Sequence, residues 1–280
     1  MTPDQYCAAK AGESGSSFYH SFRFLPPARR CALTALYAFC REVDDVVDRL
    51  TNAEVARVKL GWWHEEIARL FEGAPRHPVT RALQPAIRAY DLPQSLFVAV
   101  IEGMEMDLTQ RRYADFAALE QYCDRVAGAV GLLSARIFGV SDARTLDFAR
   151  ALGLAFQLTN IVRDVGEDAV RGRIYLPQDE LREYGVAEDD ILHGRESESL
   201  YRLMRFQAQR AYGYYDAAMR ALPAADRRAQ LPSLAMSAIY RTLLDEIAAD
   251  GFHVLRHRIA LPTWRKLYLA WRTLWRERRA

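Results

Sequence analysis

The chain has 280 residues, half of them hydrophobic, and a net charge of +2. That length suits one large domain or two small ones with a sizeable core, and 15 glycines and 11 prolines against abundant alanine, leucine and arginine favour helix over sheet. The four cysteines, at 7, 31, 40 and 123, have neither metal spacing nor disulfide density, which excludes a zinc module or a cystine scaffold and suits a reducing, cytoplasmic setting.

The start, Met1-Thr2-Pro3-Asp4-Gln5, has no basic and apolar run, so no signal peptide is expected. No stretch of about 18 uncharged apolar residues predicts a membrane span. Helical periodicity predicts helices over roughly 27–50, 52–73, 77–90, 94–110, 115–139, 143–168, 196–221, 231–250 and 262–277. Pro26-Pro27 opens the first of these, and Ser141-Asp142 is placed to cap the helix that follows it. Breaks fall at Gly73-Ala74-Pro75, Asp91-Leu92-Pro93 and Leu222-Pro223. Ala127-Gly128-Ala129-Val130-Gly131 either leaves space between helices or packs them closely. Arg171 to Pro177 interrupts the pattern as a basic loop over a cavity mouth. Nothing alternates like a strand, so the expectation is all-α: one helical bundle over 1–280 with a central cavity. From Phe252 onward there are eight Arg or Lys and one Glu, giving +7 against −5 for the rest. Trp264, Leu267, Tyr268, Leu269, Trp271, Leu274 and Trp275 are interleaved with these charges. Such a tail suits either a helix packed on the core or peripheral contact with the inner face of a membrane, and argues against nucleic acid.

Two acidic clusters carry the chemistry. The first is Arg41-Glu42-Val43-Asp44-Asp45-Val46-Val47-Asp48; the second is Asn160-Ile161-Val162-Arg163-Asp164-Val165-Gly166-Glu167-Asp168. Residues four apart share a helix face, roughly 6 Å apart in rise. Asp44 therefore aligns with Asp48, and Asn160 with Asp164 and Asp168. Carboxylates among apolar neighbours such as Val46 and Val47 are costly unless paired or holding metal. Two such faces turned toward each other would hold Mg²⁺, which shares oxygen ligands between carboxylates and substrate phosphates. Arg41 and Arg163 adjoin the clusters and, with Arg171, Arg173 and Tyr175, could take a diphosphate leaving group. A carbocation left behind needs a dry, aromatic cavity, for which Phe18, Tyr37, Phe39, Tyr122, Phe156 and Tyr240 are candidates. Tyr37 lies on the metal face itself.

At these residues the chain resembles the squalene/phytoene synthase family of head-to-head prenyltransferases, from Ser16 to about Lys266. The resemblance rests on Ser16-Ser17-Phe18-Tyr19, on Tyr37 through Arg41 with the first cluster, on Tyr122-Cys123 with Val126-Ala127-Gly128, and on Gln157 through Pro177. It implies an α-helical, Mg²⁺-dependent enzyme that passes through a cyclopropyl diphosphate. It assigns Asp44 and Asp48 to the first metal motif and Asn160, Asp164 and Asp168 to the second. Arg41, Arg163 and Tyr175 match diphosphate contacts, with Arg258 a looser match. Ser17 and Phe18 match the N-terminal substrate segment, and Gln157, Tyr122 and Tyr240 match cavity positions. Phe18 to Pro27 and Ala38 to Asp48 look most like the bacterial hopanoid branch. That implies two farnesyl diphosphates joined to presqualene diphosphate, with later steps left to hopanoid-pathway enzymes. Phytoene synthesis from two geranylgeranyl diphosphates, NADPH-dependent squalene synthesis and a non-catalytic assembly role are the rival readings. A di-iron bundle would need Glu-x-x-His, and no histidine here has Glu three residues before it.

Overall fold

Proline and side-chain caps set most helix starts. The computed structural model describes residues 1–13, 25–50 and 52–277, and no strand occurs among them. Helix α1 (Pro3–Glu13) precedes α2 (Pro27–Arg49), which begins with proline at its first position, where a missing N–H costs nothing. In α3 (Ala53–Phe71) the Asn52 side chain accepts from Glu54 N at 2.9 Å. Then come α4 (Pro78–Ala89), α5 (Gln94–Thr109) and α6 (Phe116–Cys123), the last capped by Asp115 through Ala118 N at 2.8 Å. A π-helical turn, Asp124–Gly128, joins α6 to α7 (Ala129–Phe138). Helix α8 (Arg144–Val170), at 27 residues, is the longest among the described residues. The short α9 (Gln178–Tyr184) and α10 (Glu188–Leu192) lead to α11 (Glu198–Ala221), α12 (Ala224–Arg227), α13 (Leu231–Ala249) and α14 (Thr263–Glu277).

The long helices fall where periodicity puts them. The expected helix over 115–139 is one rod with a π turn inside it, and α1, α9, α10 and α12 are additions too short to show a repeat. The N-cap of α8 is Ala143, with no side-chain cap, so Ser141 and Asp142 do not hold the expected cap position. Asp142 Oδ1 accepts from Arg144 N at 2.9 Å, but the backbone N–H groups of both residues donate to the buried carboxylate of Asp226.

Two contiguous apolar cores result. One joins α1 through α5 with α7 and the other joins α6 through α14, and Val126 of the π turn packs against both. Gly153 decides the spacing between them: a Cβ there would sit 2.5 Å from Ala127 O and 3.1 Å from Gly128 Cα. Helix α8 and the π turn thus touch backbone to backbone, so close packing is one role of the glycine-rich segment. Its other role is space, since Ala127, Val130 and Gly131 also line an apolar cavity.

Candidate active site

One face of α8 carries Gly153, Phe156, Asn160, Asp164 and Asp168 at spacings of three and four residues, so the face that lines the apolar cavity continues into the acidic cluster. The cavity, about 160 Å³, is lined by Ala127, Gly131, Phe138, Gly153, Phe156 and Met236 among others. Phe156 contacts the ring of Tyr240 at 4.7 Å, and Tyr240 neighbours Arg163, Tyr37 and Asp164. Gln157 Oε1 accepts from Asn160 Nδ2 at 3.4 Å, a long contact. Phe39 belongs instead to the core, packed edge-on against Trp63 and Phe97. Ser17 and Phe18 lie outside the described residues.

The two clusters face each other. Arg171 and Arg173, in the turn after α8, reach Asp48 of α2 at 3.3 and 3.7 Å. Gly172, at φ +71°, makes that turn possible, and Arg173 N closes it on Asp168 O at 2.9 Å. Arg41 Nη1 contacts Asp44 at 2.5 Å and its Nη2 contacts Asp45 at 3.1 Å. Asp45 also meets Lys10 of α1 at 2.8 Å and Arg49 at 3.2 Å, so three cations hold it and it is spent on structure. Arg163 pairs with Asp164 through Nε at 2.7 Å, and Arg258 Nε reaches the same carboxylate at 2.7 Å. Arg258 arrives because Gly166 lets the 254–255 backbone lie on α8; a Cβ there would be 2.7 Å from Val254 O.

Charge in this space is unbalanced. Burial and then Asp48 push the Asp44 carboxyl up to about 6, against Arg41. Burial and then Asp164 push Asp168 up to about 7, against Arg173 and Arg171. Burial also raises Asp164, but Arg163 and Arg258 outweigh it and hold this carboxyl below its usual range. Asn160 Oδ1 is buried with no hydrogen-bond donor. Among the described residues no three His, Cys, Asp or Glu side chains gather as a metal cage. An amide oxygen without a donor, on a face with under-neutralised carboxylates, fits Mg²⁺ shared with a phosphate ligand rather than enclosed by protein.

Asp107, on α5, completes the site and was not among the residues picked out from the sequence. Its buried carboxylate accepts from Tyr175 at 2.8 Å and Tyr122 at 2.9 Å. Burial raises its pKa, the Asp48 charge adds to that, and Asp44 and Asp168 are in turn raised by it, which puts it between the two clusters. The rings of Tyr122 and Tyr175 stack at 5.3 Å, and Tyr113 stacks on Tyr175 at 5.7 Å. Tyr122 therefore faces the polar end rather than the apolar cavity. The sequence did carry a signal: Asp107 follows Val100 and Met104 on the buried stripe of α5, where a carboxylate is out of place.

An all-α bundle with two facing aspartate helices over an apolar cavity defines an isoprenoid-synthase-type prenyltransferase. The squalene/phytoene synthase family pattern matches residues 11–265, and the chain belongs to that family. It is 38% identical to a 15-cis-phytoene synthase of Synechococcus elongatus over 93% of this chain and 89% of that one. It is 37% identical to a phytoene synthase of Arthrospira platensis over 94% and 89%. A solved dehydrosqualene synthase superposes with TM-score 0.88 at 28% identity, covering 99% of this chain and 97% of its own. The squalene synthase HpnC from Alicyclobacillus acidocaldarius gives 0.78 at 28% identity, over 89% and 94%.

These relatives correct the expected product. Presqualene diphosphate from farnesyl diphosphate, for hopanoid-pathway partners, is overturned by full-length likeness to proteins named phytoene synthase. The narrower reading rested on Phe18 to Pro27, most of which lies outside the described residues, and on Ala38 to Asp48, which belongs to the acidic end of the site. No described residue of either segment lines the apolar cavity, so neither reports how long a chain it takes.

Proposed function

We propose that the chain is a phytoene synthase, joining two geranylgeranyl diphosphates head to head and releasing both diphosphates without a reductant. The observation that carries this reading is the 36–38% identity, over 93–94% of the chain, to proteins bearing that name. The continuity of the dry cavity with the acidic faces supports it.

Asp44, Asp48, Asn160, Asp164 and Asp168 would hold Mg²⁺, which when bound neutralises charge developing on a departing diphosphate. Arg41, Arg163, Arg171, Arg173 and Arg258 add fixed positive charge around that group. Ionisation of one substrate breaks the bond from its first carbon to the diphosphate oxygen. The double bond of the second substrate attacks that carbon, and loss of a proton, to diphosphate or a tyrosine, closes a cyclopropane. Departure of the second diphosphate and a second proton opens the ring to the hydrocarbon, so the electrons balance without hydride. Tyr37, Phe156 and Tyr240 keep water from the cation and offer it aromatic faces, with Gln157 at the edge. Asp107 orients the phenols of Tyr122 and Tyr175 toward the diphosphate end. Ser17 and Phe18 are assigned to substrate on the family resemblance alone.

The test is purified protein with Mg²⁺ and either geranylgeranyl or farnesyl diphosphate, with and without NADPH, read by mass spectrometry. A forty-carbon hydrocarbon from the former without NADPH is expected. A thirty-carbon product from farnesyl diphosphate alone would overturn the reading.

A further inference from the structure

Helix α14 carries its apolar residues on the wrong side for a soluble surface. Only Leu269 and Ala270 are buried in it. At about 100° per residue, Trp264, Leu267, Tyr268, Trp271, Leu274 and Trp275 fall within an arc of about 120°. Five of these six are exposed, Trp264 at 69% and Trp271 at 60%. The rings form a continuous strip, with Tyr268 to Trp271 at 6.2 Å and Trp271 to Trp275 at 6.5 Å. Arg272 and Arg276 line one flank of the strip, and Arg272 lies over the Tyr268 ring at 5.9 Å. The opposite face is pinned to the bundle: Arg265 contacts Glu246 at 2.5 Å, and Glu277 accepts from Arg227. The strip is therefore held outward by the same helix that docks inward.

We propose that this outer face of α14 seats on the anionic surface of a lipid bilayer. Tryptophan and tyrosine with flanking arginine match the layered polarity of a lipid interface, where rings sit at headgroup level and guanidinium groups meet phosphate. A protein partner or second copy would be expected to present acids to this flank. The charge favours lipid over a two-fold copy: the segment from Phe252 carries +7, so two copies joined through this face would set basic against basic, whereas an anionic lipid surface meets it with phosphate. The helix also begins beside the site. Lys266 in its first turn has its ammonium pKa lowered by burial and by Arg163 and Arg258, the arginines around Asp164. A bilayer under α14 would thus lie next to the arginine-lined end of the cavity, within reach of chains too apolar for water.

The experiment uses the full chain with vesicles of phosphatidylcholine alone or with phosphatidylglycerol, read by co-sedimentation, and needs no substrate. Sedimentation with the anionic vesicles is expected. Trp264→Glu with Trp271→Glu should reduce it at least about tenfold, and Arg272→Gln with Arg276→Gln should remove the preference for phosphatidylglycerol. Circular dichroism and thermal melting check that each variant folds. Brominated lipids give a readout without variants: three of the five tryptophans lie on this helix, so their fluorescence should be quenched in the unaltered chain. Protein left in the supernatant, unquenched fluorescence, or a dimer that the tryptophan variant dissolves would each overturn the proposal.

Discussion

Asp226 offers the sharpest energetic test of how α8 is anchored. Its carboxylate is 3% exposed and has no cationic partner among its hydrogen bonds. It accepts from Ser141 N at 3.0 and 2.9 Å, from Asp142 N at 3.1 Å, from Thr145 Oγ1 at 2.5 Å, and from Ser141 Oγ. Burial alone would raise this carboxyl, but the Ser141 and Thr145 donors outweigh it and hold the group at about 2. Against an ordinary value near 3.8, that is worth about 2 kcal/mol at neutral pH. Because the folded pKa is depressed, the contribution is complete above about pH 4 and is lost as pH falls toward 2. Asp226→Asn removes the charge and turns an N–H₂ toward the Ser141 N–H. Urea unfolding at pH 7 should then show a midpoint lower by roughly 0.6 M, for a slope of ~3 kcal/mol/M. Repeating both titrations down to pH 3 should narrow the gap as the aspartate protonates. A gap that is absent at pH 7, or undiminished at low pH, would refute the assignment of this stability to charge.

Asp48→Ala and Asp164→Ala should each lower turnover by roughly a thousandfold or more with an unchanged circular-dichroism spectrum, measured with labelled prenyl diphosphate. Mg²⁺ with inorganic diphosphate should raise the melting temperature of the unaltered chain but not that of Asn160→Ala, a readout independent of turnover. Gly153→Ala should destabilise by about 1–3 kcal/mol, since its Cβ must push Ala127 O away from 2.5 Å, and should raise KM by reshaping the cavity. Glu66→Gln should cost about 2 kcal/mol in unfolding experiments, because the buried carboxylate accepts from Arg76 N and His77 N at 2.7 Å and from Thr80 Oγ1 at 2.6 Å.

The main helices were legible because each long one must bury a stripe, and a stripe repeats every three or four residues. Helix α1 gave no such repeat; Lys10 fastens it to Glu42 and Asp45 through ion pairs. The acidic faces were legible because each lies within one helix, where spacing alone fixes direction. Asp107 was not, since its meaning depends on Tyr122 and Tyr175 brought from two other segments. Spacing set Asp44 with Asp48 and left Asp45 off that face, but what Asp45 does instead shows only in Lys10 and Arg49 closing on it.

The π turn at Asp124–Gly128 has a consequence for how this chain can change. A π turn inserts one residue into an α-helical rod and so rotates everything beyond it by about 100°. Before it, Tyr122 looks into the chamber of Asp107; after it, Val130, Gly131, Ser134 and Phe138 look into the hydrocarbon chamber. A single rod thereby serves a polar compartment and an apolar one. Side chains along it can be exchanged one at a time to resize either compartment, but deleting a single residue from the turn would swing the apolar wall out of the cavity. Length here is under tighter physical constraint than identity.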